Sequence, residues 1–270
     1  MEVSLDQQYL QILTNRLEVC KSYQPKFGQG NEGLTFDQFY QLYHADPLYA
    51  WFGLDHPLMY AAHTAAGGIT SIYRQLGIGV EELFRQILHD HLGLLPAQIN
   101  WSYQVQSNSG KMRTLKLDGR IDISEVSKRQ QREALLEWMY TATTRLAMDE
   151  RMAQALRGVV VEVRQGYKSK DSKRQNADIA NATEAYLKGY LPILMLFSSQ
   201  IDLDIIERYE RGKWLVLRGV LEDDPTISTY AFMKEVIGYD LAGFFARQQS
   251  TIREITLQVL ESLLRPDDLA

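Results

Sequence analysis

The chain is poor in cysteine, in net basic charge and in long apolar runs. Cys20 stands alone among 270 residues, which excludes an internal disulfide and a cysteine-built zinc cluster and points to a reducing, cytoplasmic setting. Lys and Arg total 29 against 34 Asp and Glu, a net charge of −5. A basic coat of the kind that wraps nucleic acid over a whole surface is therefore absent. No window approaches the run of about eighteen apolar residues that a membrane span needs. The acidic, polar opening Met1-Glu2-Val3-Ser4 lacks the pattern of a signal peptide, so no membrane association is expected. Repeats and low-complexity segments are missing too. What is there, 45% hydrophobic and 23% charged residues, is ordinary globular usage, with enough length for a core that needs no covalent staples.

Apolar spacing divides the chain into three parts. Leu5, Leu13 and Leu17 recur at helical intervals, so residues 5–22 read as an amphipathic helix. Further short helices are expected over 36–44, 57–66, 69–76 and 80–91, separated by prolines and by Gly67-Gly68, Gly77 and Gly79. From Trp101 the period changes to two, and 100–123 reads as a β-hairpin turning at Ser107-Asn108-Ser109-Gly110. Residues 126–157 return to helix. Val159–Val163 and Ile193–Phe197 are apolar runs short enough for buried strands, with a helix from Asp171 or Ser172 to Lys188 between them. Strand, helix, strand in that order is a βαβ unit, which implies a parallel pair. Trp214–Val220 adds a strand, and 228–265 a helical tail. The expected architecture is α/β, one domain over 1–270: a helical part to residue 99, an α/β core over 100–220 and C-terminal helices from 221.

The carboxylates of the strand region carry the chemistry. Asp118 and Asp122 lie four apart in Leu-Asp-Gly-Arg-Ile-Asp-Ile, so on a strand they share a face. Glu162 interrupts Val159-Val160-Val161-Glu162-Val163. A charge inside a buried strand costs several kcal/mol, roughly, unless it is paired or bound to metal. One account is a structural ion pair with Arg164. The other is a metal-dependent phosphodiesterase, in which Asp122 and Glu162 from adjacent strands hold Mg²⁺ and a nearby lysine serves the attacking water. Between Arg164 and Arg174 five bases face one acid. That local positive patch suits flanking phosphates.

These residues resemble the PD-(D/E)xK nuclease superfamily. The resemblance rests on Leu117–Ile123, on Val159–Ile179 with its Gly166-Tyr167-Lys168-Ser169-Lys170-Asp171-Ser172-Lys173-Arg174-Gln175-Asn176 stretch, and on Leu191–Phe197. It covers about residues 100–200 and is most similar to type II restriction endonucleases. It implies a mixed central sheet around a βαβ core of restriction-endonuclease type, flanked by the N- and C-terminal helices. Asp122 would be the first metal-binding aspartate, with Asp118 the alternative, and Glu162 the second acidic residue. Where the family pattern has lysine this sequence has Arg164, which stays protonated and cannot act as a base. Lys168 is the expected replacement and Lys170 the next. A variant of the pattern with its acidic residue on the following helix would use Lys170 with Glu184. The implied activity is Mg²⁺-dependent cleavage of double-stranded DNA by a homodimer, with contacts between subunits from the helices of Tyr230–Leu264. Lys173 and Arg174 suit phosphates or guanine, and Gln175 and Asn176 adenine edges.

Other polar features read as structural. His89 and His91 stand two apart at a helix end and do not converge on one ion, and cations favour that position anyway. His56 and His63 flank an alanine-rich helix. The Gly-x-Gly pairs at 28–30 and 77–79 follow no buried strand, so they make no dinucleotide fingerprint. Ser109, Ser169 and Ser172 have no histidine at a recognisable spacing. Lys128–Arg132 is a basic run that opens a helix, a solvated face or a track for a DNA backbone.

Overall fold

The structure is a computed structural model in which residues 4–27, 32–106, 112–167 and 181–264 are described. It is mixed α/β, with a mixed four-stranded sheet and a separate two-stranded antiparallel sheet. The chain divides into two compact units, Met1–Gly79 with Arg247–Ala270 and Val80–Ala246. The expected helical N-terminal part is thus shared between units, since residues from Val80 onward belong with the sheets.

Helices of the first unit begin where side chains satisfy their free N–H groups. Ser4 and Gln7 form a reciprocal box at the start of α1 (Leu5–Glu18), and Thr35 with Gln38 does the same for α2 (Phe36–Ala45). Asp46 caps α3 (Pro47–Trp51) through the N–H groups of Leu48 and Tyr49. The three helices expected over 57–91 are instead one, α4 (Pro57–Leu92). Glycine costs a helix interior only about 1 kcal/mol, and here it admits neighbours. A Cβ at Gly67 would run into the Tyr23 ring, and one at Gly68 into Leu263. Cys20 is buried and unpaired in this packing, with Val259 and Leu263 beside it.

In the second unit α5 (Pro96–Ile99) leads into β1 (Trp101–Gln106) and β2 (Met112–Leu117), which pair antiparallel with Trp101 opposite Leu117. The return strand does not run on to 123 as one piece. It bends at Asp118 and re-enters as β3 (Gly119–Asp122) in the other sheet. The helix expected over 126–157 is broken as well: α6 (Arg129–Arg145) ends near Ala147, whose φ is +47°, and α7 (Glu150–Gln154) restarts under an Asp149 cap.

The larger sheet runs in the order β3, β4 (Gly158–Arg164), β5 (Tyr190–Leu196), β6 (Leu215–Leu217). β3 is antiparallel to β4, while β4, β5 and β6 are parallel. The helix α8, described over 181–187, lies between β4 and β5 in the chain, completing the βαβ order. β5 starts two residues before Pro192, which stands opposite Val160. All seven of its residues are buried, and at about 1.5–3 kcal/mol for each large apolar side chain this strand anchors the core. Val160 and Leu194 share an apolar cluster with Trp101 and Tyr103 of β1, Ala185 of α8 and Tyr209. Tyr209 belongs to α9 (Leu203–Arg211), after which come α10 (Thr229–Phe232), a π-turn over Met233–Ile237 and α11 (Leu241–Leu264). Gly238 at φ +87° ends that turn, so the expected continuous tail from 228 is two helical segments.

Candidate functional site

Register decides which aspartate meets Glu162. Gly119 pairs with Val161 and Asp122 with Gly158. Asp118, in the bend just before this ladder, accepts from the amide of Val163, so it lies at the Glu162 end of β4. Asp122 stands four residues away along β4, about 13 Å at the usual rise of a strand. Two ligands of one Mg²⁺ lie within about 4 Å of each other. The expected Asp122–Glu162 pair is thus spread along the ladder, and Asp118 is the aspartate at the Glu162 end. Parity puts Asp118 and Asp122 on one face of a single strand, but β3 begins only at Gly119, after the bend.

The two ends of this ladder differ in what holds the carboxylate. At Asp122, Oδ1 accepts from Ser124 N at 3.1 Å and Ser124 Oγ at 2.6 Å, and Oδ2 from Tyr190 OH at 2.9 Å. Arg157 Nε lies 3.4 Å from Oδ2, and its guanidinium covers the Tyr190 ring. Burial alone would raise the Asp122 pKa, but the bonds from Ser124 and Tyr190, helped by Arg157, outweigh it and hold the carboxyl below the usual range. The same contact, with burial, pushes the Tyr190 hydroxyl up. Asp122 is the cap of the 3₁₀ turn Ile123–Glu125, a closed structural arrangement. Gly158 opposite it has no room for a Cβ against the Ile121 carbonyl.

At the other end Asp118 Oδ2 accepts from Val163 N at 2.8 Å, which holds the bend between the two sheets onto β4. Arg85 of α4 donates to the Asp118 carbonyl at 3.2 Å and reaches within 3.9 Å of its carboxylate and of Glu81. Sequence reasoning missed Arg85. Its only signal was the i, i+4 spacing from Glu81, which marks countless surface pairs. Glu162 Oε1 accepts from Arg164 Nη2 at 3.1 Å, both side chains being largely buried, and the Arg164 guanidinium lies 4.8 Å from the Tyr167 ring centre. This is the ion pair that a buried strand charge requires.

β4 stops at Arg164, and a bend at Gln165 follows before Tyr167 bridges to Ile201. Lys168, Lys170, Lys173, Arg174, Gln175 and Asn176 lie outside the described residues. Both neighbours of that segment are tied down. Tyr167 N donates to Gln200 O at 2.8 Å and its hydroxyl meets that of Tyr209. Asn181, the first described residue of α8, accepts from the Tyr103 hydroxyl, whose pKa burial pushes up to about 12. Glu184 is near enough to add to that rise, on a helix turn facing β1.

The discounted residues are accounted for locally. His89 Nδ1 is 2.8 Å from the Leu94 carbonyl, and His91 packs on Tyr239. In the basic run, Lys128 donates to Asp90 O, Arg132 to Val126 O, and Arg129 pairs with Glu133.

No group of three or more His, Cys, Asp or Glu placed to hold a metal occurs among the described residues. Asp118 bonds the amide of the residue after Glu162, so two carboxylates stand at the same end of β4. That set is enough for Mg²⁺, which takes one or two carboxylates and completes its shell with water and phosphate oxygens. No known family model, curated protein or solved structure matches the chain.

Proposed function

We propose that the protein is a Mg²⁺-dependent endonuclease of the PD-(D/E)xK type that hydrolyses double-stranded DNA at a short specific sequence, in the cytoplasm and as a homodimer. The observation that supports this reading is the Asp118 carboxylate on the amide of Val163, next in the chain to Glu162 and its partner Arg164, with a basic segment following β4 in the sequence. Asp118 and Glu162 hold the ion, and Mg²⁺ bound there supplies positive charge against the phosphate and a more acidic bound water. Arg164 carries its charge at every working pH, so it steadies a phosphate oxygen and takes no proton. Lys168 or Lys170 is left to serve the nucleophile. Lys173 and Arg174 bind phosphates or guanine, and Gln175 and Asn176 adenine edges. A palindromic site favours a two-fold symmetric protein, and the helices over Tyr230–Leu264 supply the subunit contact.

A second reading keeps the same surface and drops catalysis. A nucleic-acid-binding protein with a structural Glu162–Arg164 pair is favoured by the arginine at 164 and by the closeness of that pair. A digest of long unmethylated phage DNA separates the two, run with Mg²⁺, with EDTA, and with Glu162→Ala and Asp118→Ala. Discrete Mg²⁺-dependent bands, lost in both variants, are expected. A Mg²⁺-dependent smear moves the reading to a less specific repair or recombination nuclease. Intact DNA in every lane, on linear, supercoiled and branched substrates alike, overturns catalysis.

A further inference from the structure

The first unit exposes apolar surface where it carries no cation. Trp51 is 82% exposed, Phe52 74% and Leu58 72%, and Leu48, Tyr49 and Tyr40 of the same segment are exposed as well. Single exposed apolar residues are ordinary, but six within nineteen positions of one compact segment mark an interaction surface. The segment is held in shape. The Tyr43 and Tyr49 rings lie 4.8 Å apart, joining α2 to α3, and His44 Nδ1 is 2.8 Å from Asp55 Oδ2, joining α2 to the turn before α4. Tyr40 stacks on His44. The large side chains of α3 are thus presented outward from an ordered frame.

Charge says what this surface meets. From Phe27 to Tyr73 there is no Lys or Arg, whereas Glu32, Asp37, Asp46 and Asp55 all fall within it. Phosphate backbones and anionic lipid surfaces are repelled by such a field, which separates this face from the DNA-binding role proposed for the second unit. A complementary partner brings cations around an apolar stripe. We infer that the Tyr40–Leu58 face docks a partner protein through a basic amphipathic helix. The aromatic and leucine side chains take the apolar stripe, and the exposed Glu32 and Asp37 meet the flanking Lys and Arg, Asp46 and Asp55 being engaged by the start of α3 and by His44. This inference does not rest on the nuclease reading.

Trp51 provides the readout, because the other three tryptophans, Trp101, Trp138 and Trp214, are buried. The full-length protein is titrated with a synthetic amphipathic helical peptide of leucine and lysine, and with its leucine and glutamate counterpart. The lysine peptide is expected to shift Trp51 emission to the blue and shield it from acrylamide, and the glutamate peptide to bind at least about tenfold more weakly. Leu48→Ser with Phe52→Ser leaves the charges and Trp51 in place and removes only exposed side chains, so the fold is retained, as circular dichroism will confirm. That variant is expected to lose the shielding. Binding of the lysine peptide that survives the double substitution is mere attraction to an acidic protein and overturns the proposal, as does failure of the peptide to bind. A Trp51 already shielded in the protein alone, with a dimer in sedimentation, assigns the face to a second copy instead. Shielding by anionic vesicles and not by peptide assigns it to a membrane.

Discussion

An aspartate stands at either side of β3, Asp122 as its last residue and Asp118 in the bend before it, and the two are held differently. Asp122 is enclosed by Ser124, Tyr190 and Arg157, and its backbone neighbour Gly158 is fitted to it. Asp118 has a backbone amide on one oxygen and Arg85 at 3.9 Å, and it lies at the Glu162 end of β4. A carboxylate whose lone pairs are taken up by short bonds from its own turn is spent on folding. One placed beside another carboxylate incurs repulsion that folding does not need and an incoming cation relieves. On the nuclease reading proposed above, the chemistry belongs to the Asp118 end.

The largest test of that contrast is on cleavage. Asp118→Asn keeps an acceptor for Val163 N and removes the charge, so its stability should change by less than about 1 kcal/mol. DNA hydrolysis in Mg²⁺ should fall on the order of 10³-fold, the scale of losing a group that positions transition-state charge. Glu162→Gln should match it, and Asp122→Asn should retain cleavage once assayed well below its melting temperature. Loss of activity in Asp122→Asn alone would reverse the assignment of the two ends. Arg164 sharpens the same end. Arg164→Lys retains a cation beside Glu162 and should cut at a comparable rate. Arg164→Ala should cut more slowly by about 10²-fold and also destabilise, since it leaves Glu162 a buried charge without its close cation.

How far the sequence discloses this can be judged residue by residue. The β-branched run before Glu162 and the apolar run around Leu194 are visible as buried strands, and their spacing as a parallel pair, because burial on both faces writes itself as continuous hydrophobicity. An expected common face for Asp118 and Asp122 is visible from parity. Their positions along it are not. Position depends on the register of β3 against β4, and that follows from the bend at Asp118, where one apparent hairpin strand passes from the small sheet to the large one. Nothing in Leu117-Asp118-Gly119 distinguishes a bend from a continued strand. Helix α4 fails differently. Gly67 and Gly68 look like breaks but are places where Tyr23 and Leu263 approach the helix, a tertiary reason that overrides local propensity. Arg85 is more than thirty positions from Asp118 and reaches it only through the fold.

At the structural end the expected effects are on stability. Asp122→Ala uncaps the Ile123–Glu125 turn and leaves the Tyr190 hydroxyl and the Ser124 amide without their acceptor. A cost of about 2 kcal/mol follows, which for a protein of this size lowers Tm by roughly 4–8 °C. Asp118→Ala should lower Tm by less, since it gives up one backbone bond at a half-open bend. Differential scanning calorimetry of the two variants, with and without Mg²⁺, measures the contrast. Added Mg²⁺ should raise the melting temperature of wild type and of Asp122→Ala, and not that of Asp118→Ala.

The smallest effect is in the acid limb of stability, and its sign is set by the direction of the Asp122 shift. Burial opposes ionisation of Asp122, but the Ser124 and Tyr190 hydrogen bonds and Arg157 prevail, so its folded pKa lies below the value of about 3.9 in the unfolded chain. Between those two values the unfolded state binds more protons, and stability rises with pH. The contribution is complete above the unfolded value and is lost as pH falls through the folded one. Asp224, held down in the same sense by Thr226 against its own burial, titrates alongside it, so the wild-type curve alone cannot isolate Asp122. The gap in Tm between wild type and Asp122→Asn can. It should stay level from pH 8 to about pH 5 and narrow below about pH 4, whereas the gap for Asp224→Asn, measured in the same buffers, should narrow independently of it. A gap for Asp122→Asn that widened on acidification would mean that burial wins at this end of the ladder, and that Asp122 is a strained carboxyl rather than a satisfied cap.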